Sequence, residues 1–268
     1  MSVELDAPLE GERSKIRAVA LPTEHGGWSL TLEPAILGLI VAWSWHGLAL
    51  ACVGMLAFLV RTPLKIVMVD KRRKRWLERT SVALRVSIVE LSLIIVLSSL
   101  GAIGANQKLW LPLILALPLF GIQLWFDIRS KSRRLLPELC GTIGIGALAS
   151  AIVLADGADI KLAIGLWVVV GARAIAAIPY VRTQVFRRRG KSVQIAHTDI
   201  AQIFAVISIA IAYYLGVTFV ACVALISLVA VFNIVAVRMP ASPAKVVGIQ
   251  QMFFGFAVIF GTAIAVLN

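Results

Sequence analysis

The sequence predicts an all-α polytopic membrane bundle of nine transmembrane helices, N-terminus cytoplasmic and C-terminus outside. Three observations lead there. The 268 residues are 60% hydrophobic and only 15% charged, and the mean hydropathy is +0.92. That is more apolar surface than a soluble domain of this length can bury. The apolar residues fall in runs of about 17–25, the length that crosses a bilayer as a helix. The Lys and Arg residues gather in the connections between alternate runs.

Residues 1–19 read as a cytoplasmic tail, acidic first and then basic, and residues 20–268 as the nine-helix transmembrane domain. The first span lies in LPTEHGGWSLTLEPAILGLIVAWSW. Pro22 suits a helix start, and Glu24 suits the positive end of the helix dipole. Trp43 and Trp45 suit the membrane interface at its far end. By hydropathy the later spans fall near 47–63, 86–104, 110–126, 138–155, 162–181, 199–215, 217–237 and 246–267. The small residues Gly141, Gly144, Gly146 and Ala149 predict a close-packing face on the fifth.

The charge distribution carries the topology. With the N-terminus inside, the tail and the connections after spans two, four, six and eight hold 23 of the 26 Lys and Arg. Nine of them lie in 61–85 alone. The outer connections hold only Lys108 and Lys161, and Arg173 falls within a span. One helix more or fewer would reverse the face of every later loop and destroy this asymmetry.

The net charge of +12 therefore reads as positive-inside bias and contact with anionic lipid, with no nucleic-acid partner expected. Cys52, Cys140 and Cys222 stand apart in apolar runs and predict buried thiols, without a disulfide framework or a zinc site. Three scattered histidines (His25, His46, His197) do not make a metal centre. No Walker loop, GxGxxG or Ser/His/Asp set is present, and no signal peptide is expected.

Polar groups inside apolar spans are costly and therefore informative. Arg173, about five residues from the inner end of the sixth span, either snorkels to the inner surface or pairs inward with a carboxylate. Tyr180 and Gln184 continue its face. Glu33, Glu90 and Glu138 are the available partners, and Glu138 also suits a helix N-terminus.

At LPTEHGGWSLTLEPAILGL and at ARAIAAIPYVRTQVFRRRG the sequence resembles the YwiC-like family of bacterial membrane proteins, most specifically at Glu24–Trp28 with Glu33–Pro34. The resemblance implies a multi-pass protein of the bacterial cytoplasmic (inner) membrane and brings no activity with it. More distantly the chain resembles the UbiA superfamily of intramembrane prenyltransferases. Those have nine helices and two Asp-rich motifs, after helices two and six, that hold Mg²⁺ and a prenyl diphosphate. The corresponding segments here are RTPLKIVMVDKRRKRW and PYVRTQVFRRRG. They retain only Asp70, so the resemblance carries over no motif carboxylate. No cofactor is expected, and Mg²⁺ dependence is not implied.

Arginine and lysine grip phosphate directly, where carboxylates need a metal. The expected site is thus a UbiA-like cavity open to the cytoplasm. Arg61, Lys65, Arg134 and Arg182 would hold the headgroup of an anionic amphiphile, a prenyl diphosphate or a lipid phosphate. His25, Trp28, Glu33, Glu138, Arg173 and Tyr180 would line the chamber below. The protein would be a receptor or a divergent prenyltransferase. Two alternatives stand beside it: a small permease for an organic anion or proton-coupled solute using Arg173 and an intramembrane Glu, and a non-catalytic scaffold for a protein partner.

Overall fold

The computed structural model describes residues 19–20 and 25–268, with the side chains of 25 and 26 excepted. Residues 1–18 of the tail, Pro22 and Glu24 thus lie outside the described residues, as does the His25 side chain. The described chain forms nine α-helices: α1 (His25–Val41), α2 (Trp45–Arg72), α3 (Glu78–Ala102), α4 (Trp110–Ile128), α5 (Leu135–Ala155), α6 (Ile160–Arg188), α7 (Ala196–Tyr214), α8 (Val220–Ala236) and α9 (Ala244–Leu267). One 3₁₀ turn, Gln107–Leu109, precedes α4. Seven helices are long and apolar enough to cross a membrane, and the chain is a multi-pass integral membrane protein. The other two, α1 and α8, have 17 residues each, about 25 Å of helix.

The helix ends differ from the hydropathy expectation on the basic side. The second helix runs past residue 63 to Arg72, because IVMV after Lys65 stays apolar and Lys71 and Arg72 suit a helix C-terminus. The third starts at Glu78 rather than near 86, with Glu78 in the first turn and the Thr80 hydroxyl accepting from Leu77 N at 3.3 Å. The sixth continues past 181 and ends on Arg187 and Arg188. Hydropathy marks only the part of a helix that lipid surrounds, and these helices project beyond it. The basic segment 61–85 is therefore a helical hairpin closed by residues 73–77.

Two helices form the centre. The membrane windows of α5 and α6 are each 72% buried, against 17% for α3 and α4. Their closeness follows from small side chains. A Cβ on Gly146 would sit 3.2 Å from Val170 and 3.3 Å from Trp167 of α6, while one on Gly144 would meet Phe120 of α4 at 3.2 Å. The Trp167 indole donates to Ile143 O at 2.7 Å across the same contact. At Gly165 a Cβ would strike the Val217 carbonyl in the α7–α8 turn, so that position admits no larger residue without backbone movement. Ile88, Leu93, Ile95, Ile114, Leu115 and Leu117 point outward from α3 and α4, as lipid-facing side chains do.

Hydrogen bonds between connections show which ends lie together. Arg72 Nη1 donates to Ile128 O at 3.1 Å, and Arg73 Nη2 donates to Ser130 Oγ at 3.4 Å. Arg182 Nη1 donates to Arg133 O at 2.8 Å, Arg187 donates to Val237 O, and Arg238 binds Asp199 at 2.8 and 3.0 Å. Those paired hydrogen bonds to Asp199 push the Arg238 pKa above its ordinary value. The four basic connections thus share one end of the bundle. At the other end Asn106 N donates to Ala155 O at 3.0 Å, and Trp43 and Trp45 pack edge to face.

Candidate functional site

The basic end is organised around the α4–α5 turn, residues 129–134 (RSKSRR). Arg61, on α2, forms a two-pronged pair with Asp127 at the end of α4: Nε to Oδ2 at 2.8 Å and Nη2 to Oδ1 at 3.1 Å. Asp127 is 1% exposed, and a matched guanidinium–carboxylate pair suits that burial. One turn further along α2, Lys65 Nζ donates to Ser132 Oγ at 2.6 Å. From the opposite side, Arg182 of α6 donates from Nη1 to Glu138 Oε2 at 2.8 Å as well as to Arg133 O. Arg61 and Arg182, 121 positions apart in sequence, therefore brace one short turn from two sides.

Between α2 and this turn lies an open basin of about 500 Å³, lined by Lys65, Ser130, Lys131, Ser132, Arg133 and Arg134. Four of the six are cationic and none is acidic. Two hydroxyls and four cations can hold a phosphate by charge and hydrogen bonding. Beside the turn, Trp125, Leu135 and Leu136 are exposed apolar side chains, and Arg129 stacks on Trp125 at 3.9 Å.

Asp70, the one acid of the segment RTPLKIVMVDKRRKRW, is 1% exposed. It accepts from Arg75 Nε at 2.8 Å and from Thr80 Oγ1 at 2.8 Å, and Arg79 lies 3.5 Å away. Its contacts make it the clasp of the hairpin. Among the described residues no three His, Cys, Asp or Glu side chains are grouped to hold a metal ion.

A second polar assembly fills the interior. Arg173 (α6) is 1% exposed and lies 3.8 Å from Glu33 (α1), which is also 1% exposed. It points inward and does not snorkel. Its Nη1 donates to Gln251 Oε1 (α9) at 3.2 Å, and its Nη2 donates to Gln251 O. From there an amide ladder crosses the bundle. Gln251 Nε2 donates to Asn233 Oδ1 (α8) at 3.0 Å, and Asn233 Nδ2 donates to Gln202 Oε1 (α7) at 3.3 Å and to Ala176 O at 3.2 Å. Gln202 Nε2 closes onto Ala176 O at 2.8 Å.

Toward the basic end the same face of α6 continues the line. Tyr180 donates to Gln250 Oε1 at 3.3 Å, Gln184 Nε2 donates to Ala236 O at 3.0 Å, and Arg187 binds Val237 O. Positions 173, 176, 180, 184 and 187 follow the helical repeat. A buried polar column thus runs from mid-helix to the basic end.

Of the residues expected to line a chamber, Glu33, Arg173 and Tyr180 belong to this column. Trp28 packs edge to face on Phe58 at 5.3 Å. Glu138 instead belongs to the basic end, in the first turn of α5 and paired with Arg182. Glu90 is on α3, away from Arg173. Of those expected at the mouth, Lys65 and Arg134 line the basin, while Arg61 and Arg182 brace its turn. Sequence reasoning missed Gln202, Asn233 and Gln251. Each is a lone amide in an apolar run, which was the available signal.

A family model described as YwiC-like protein matches residues 21–153. Comparison with curated proteins and with solved structures gave no match. The matched stretch, 133 of the 268 residues, contains α1 to α4 and nearly all of α5, with Glu33, Arg61, Lys65, Asp127 and the basic turn, and over it the chain matches the YwiC-like family.

Proposed function

We propose that this integral membrane protein binds the phosphate-bearing headgroup of an anionic amphiphile, a prenyl diphosphate or a lipid phosphate, in the basin beside the α4–α5 turn. The observation that carries the reading is the lining itself: Lys65, Lys131, Arg133 and Arg134 around two serines, with no acid among them. Arg61 and Arg182 act as braces here, since each is matched to a carboxylate. The amphiphile's apolar tail would lie along Trp125, Leu135 and Leu136 in the inner leaflet of the bacterial cytoplasmic membrane. Binding of this kind uses Arg and Lys in place of Asp-held Mg²⁺ and suits a receptor or a divergent prenyl-group transferase.

Native mass spectrometry of the purified protein tests this reading. Wild type is expected to retain a phosphate-bearing lipid or prenyl phosphate, and a Lys65→Ala/Arg134→Ala variant to lose it. Equal retention by both would overturn the reading.

The buried column favours one other reading, a permease for an organic anion or proton-coupled solute, because Glu33 and Arg173 are joined to the basic end by polar groups. Solute flux into proteoliposomes that disappears in Arg173→Gln and survives in Lys65→Ala/Arg134→Ala would select it.

A further inference from the structure

The α2–α3 hairpin carries a feature that neither the basin nor the buried column uses. Its helices pack along an antiparallel seam, on which Thr80, Ala83, Ser87, Glu90 and Gly101 of α3 are buried. The register is fixed at both ends. Thr80 bonds Asp70 at 2.8 Å, and a Cβ on Gly101 would sit 3.2 Å from Ala49. That register sets Ser87 level with Pro63 and Glu90 level with Val60, and Pro63 and Val60 are the buried residues of α2 there.

Two side chains at this height have no hydrogen-bond partner among the described residues, and one backbone carbonyl of α2 close by lacks its helical donor. Glu90 Oε2 and Ser87 Oγ are buried and make no hydrogen bond. Pro63 has no N–H, so the carbonyl of Leu59, four residues earlier, lacks its helical donor. Glu90 lies about 7 Å along α3 beyond Arg85, the last charge before the apolar run. It is 9% exposed and flanked by lipid-facing Ile88, Val89 and Leu91.

The helix packs against α2, and the charged groups of α2 are engaged elsewhere. Arg61 is turned to Asp127, Lys65 to Ser132, and Asp70 to Arg75 and Arg79. On α3 itself Arg85 is exposed. A carboxylate at this depth with no cation beside it is costly.

We infer that Glu90 is a proton-binding site at membrane depth, carrying its proton between α2 and α3 with Ser87 and the unpaired carbonyl left by Pro63 as hydrogen-bonding partners. A protonated carboxyl both donates and accepts, so it can serve the donorless Leu59 carbonyl and the Ser87 hydroxyl together. An ionised one only accepts. The exposed α3 flank of Ile88, Val89 and Leu91 gives an apolar reagent an approach to it that does not pass the headgroup basin.

Dicyclohexylcarbodiimide, an apolar reagent that adds to protonated carboxyls, tests this in the full-length protein held in nanodiscs, with peptide mass mapping. The expected result is labelling of the Glu90 peptide that falls as pH rises and is unchanged by Na⁺ at constant ionic strength. Glu90→Gln abolishes that label. Infrared difference spectra of wild type against Glu90→Gln are expected to show loss of a carboxylic-acid carbonyl stretch, and against Glu33→Gln they separate the other buried acid. Suppression of the label by Na⁺ would assign the site to a metal cation and overturn the proton assignment. Absence of both the label and the acid stretch at every pH would overturn it as well.

Discussion

Glu33 and Arg173 face each other across 3.8 Å in the interior, from α1 and α6, with neither side chain more than 2% exposed. Removing one partner leaves the other charge buried and uncompensated. Arg173→Met is expected to destabilise the protein by about 3–5 kcal/mol, and Glu33→Leu/Arg173→Met to recover much of that loss. Unfolding midpoints in detergent measure both, and equal midpoints for wild type and Arg173→Met would remove the pair from the account. A glycine shapes the same contact. Because a Cβ on Gly255 would overlap the Glu33 carboxylate, Gly255→Ala should cost about 1–3 kcal/mol through displacement of that group.

The amide ladder depends on Asn233, which bonds Gln251, Gln202 and Ala176 O at once. Asn233→Leu strands Gln251 Nε2 on α9 and Gln202 Oε1 on α7, while Ala176 O keeps its bond from Gln202. It should cost about 1–3 kcal/mol for each buried group left unmatched, read as a lowered midpoint. A midpoint unchanged from wild type would show that water or repacking replaces the ladder.

Asp70 clasps the α2–α3 hairpin through Arg75, Arg79 and Thr80. Asp70→Ala is expected to open the 73–77 turn to proteases while the rest of the bundle stays folded. Limited proteolysis with fragment mass analysis checks this, and cleavage no faster than in wild type would contradict it.

Sidedness is the fourth test. In inside-out vesicles, a cysteine at Lys131 or Lys191 should react with a membrane-impermeant maleimide, and one at Lys108 should not. Right-side-out vesicles should give the opposite pattern, as the charge distribution requires. Labelling of Lys131 and Lys108 from the same side would contradict the nine-span topology.

The all-helical fold was legible because hydropathy reports lipid contact directly, and each of the nine helices overlaps the run that predicts it. Helix ends on the basic side were not, since Lys71, Arg72, Arg187 and Arg188 extend helices into water where hydropathy is silent. The inward pairing of Arg173 was one of two readings, and nothing local could choose between them. Partners such as Asp127 for Arg61, or Gln251 for Arg173, depend on which helices become neighbours. Gln202, Asn233 and Gln251 were visible as polar residues in apolar runs, but their common depth appears only once α7, α8 and α9 are side by side.

The measurement that bears most directly on the headgroup basin is equilibrium binding of farnesyl diphosphate and of farnesol to the protein in nanodiscs. The diphosphate should bind, and its affinity should fall as added salt screens the exposed cations. Lys65→Ala/Arg134→Ala should abolish that binding, and farnesol should bind no better to wild type than to the variant. Equal binding of alcohol and diphosphate, or diphosphate binding untouched by the double substitution, would contradict the account.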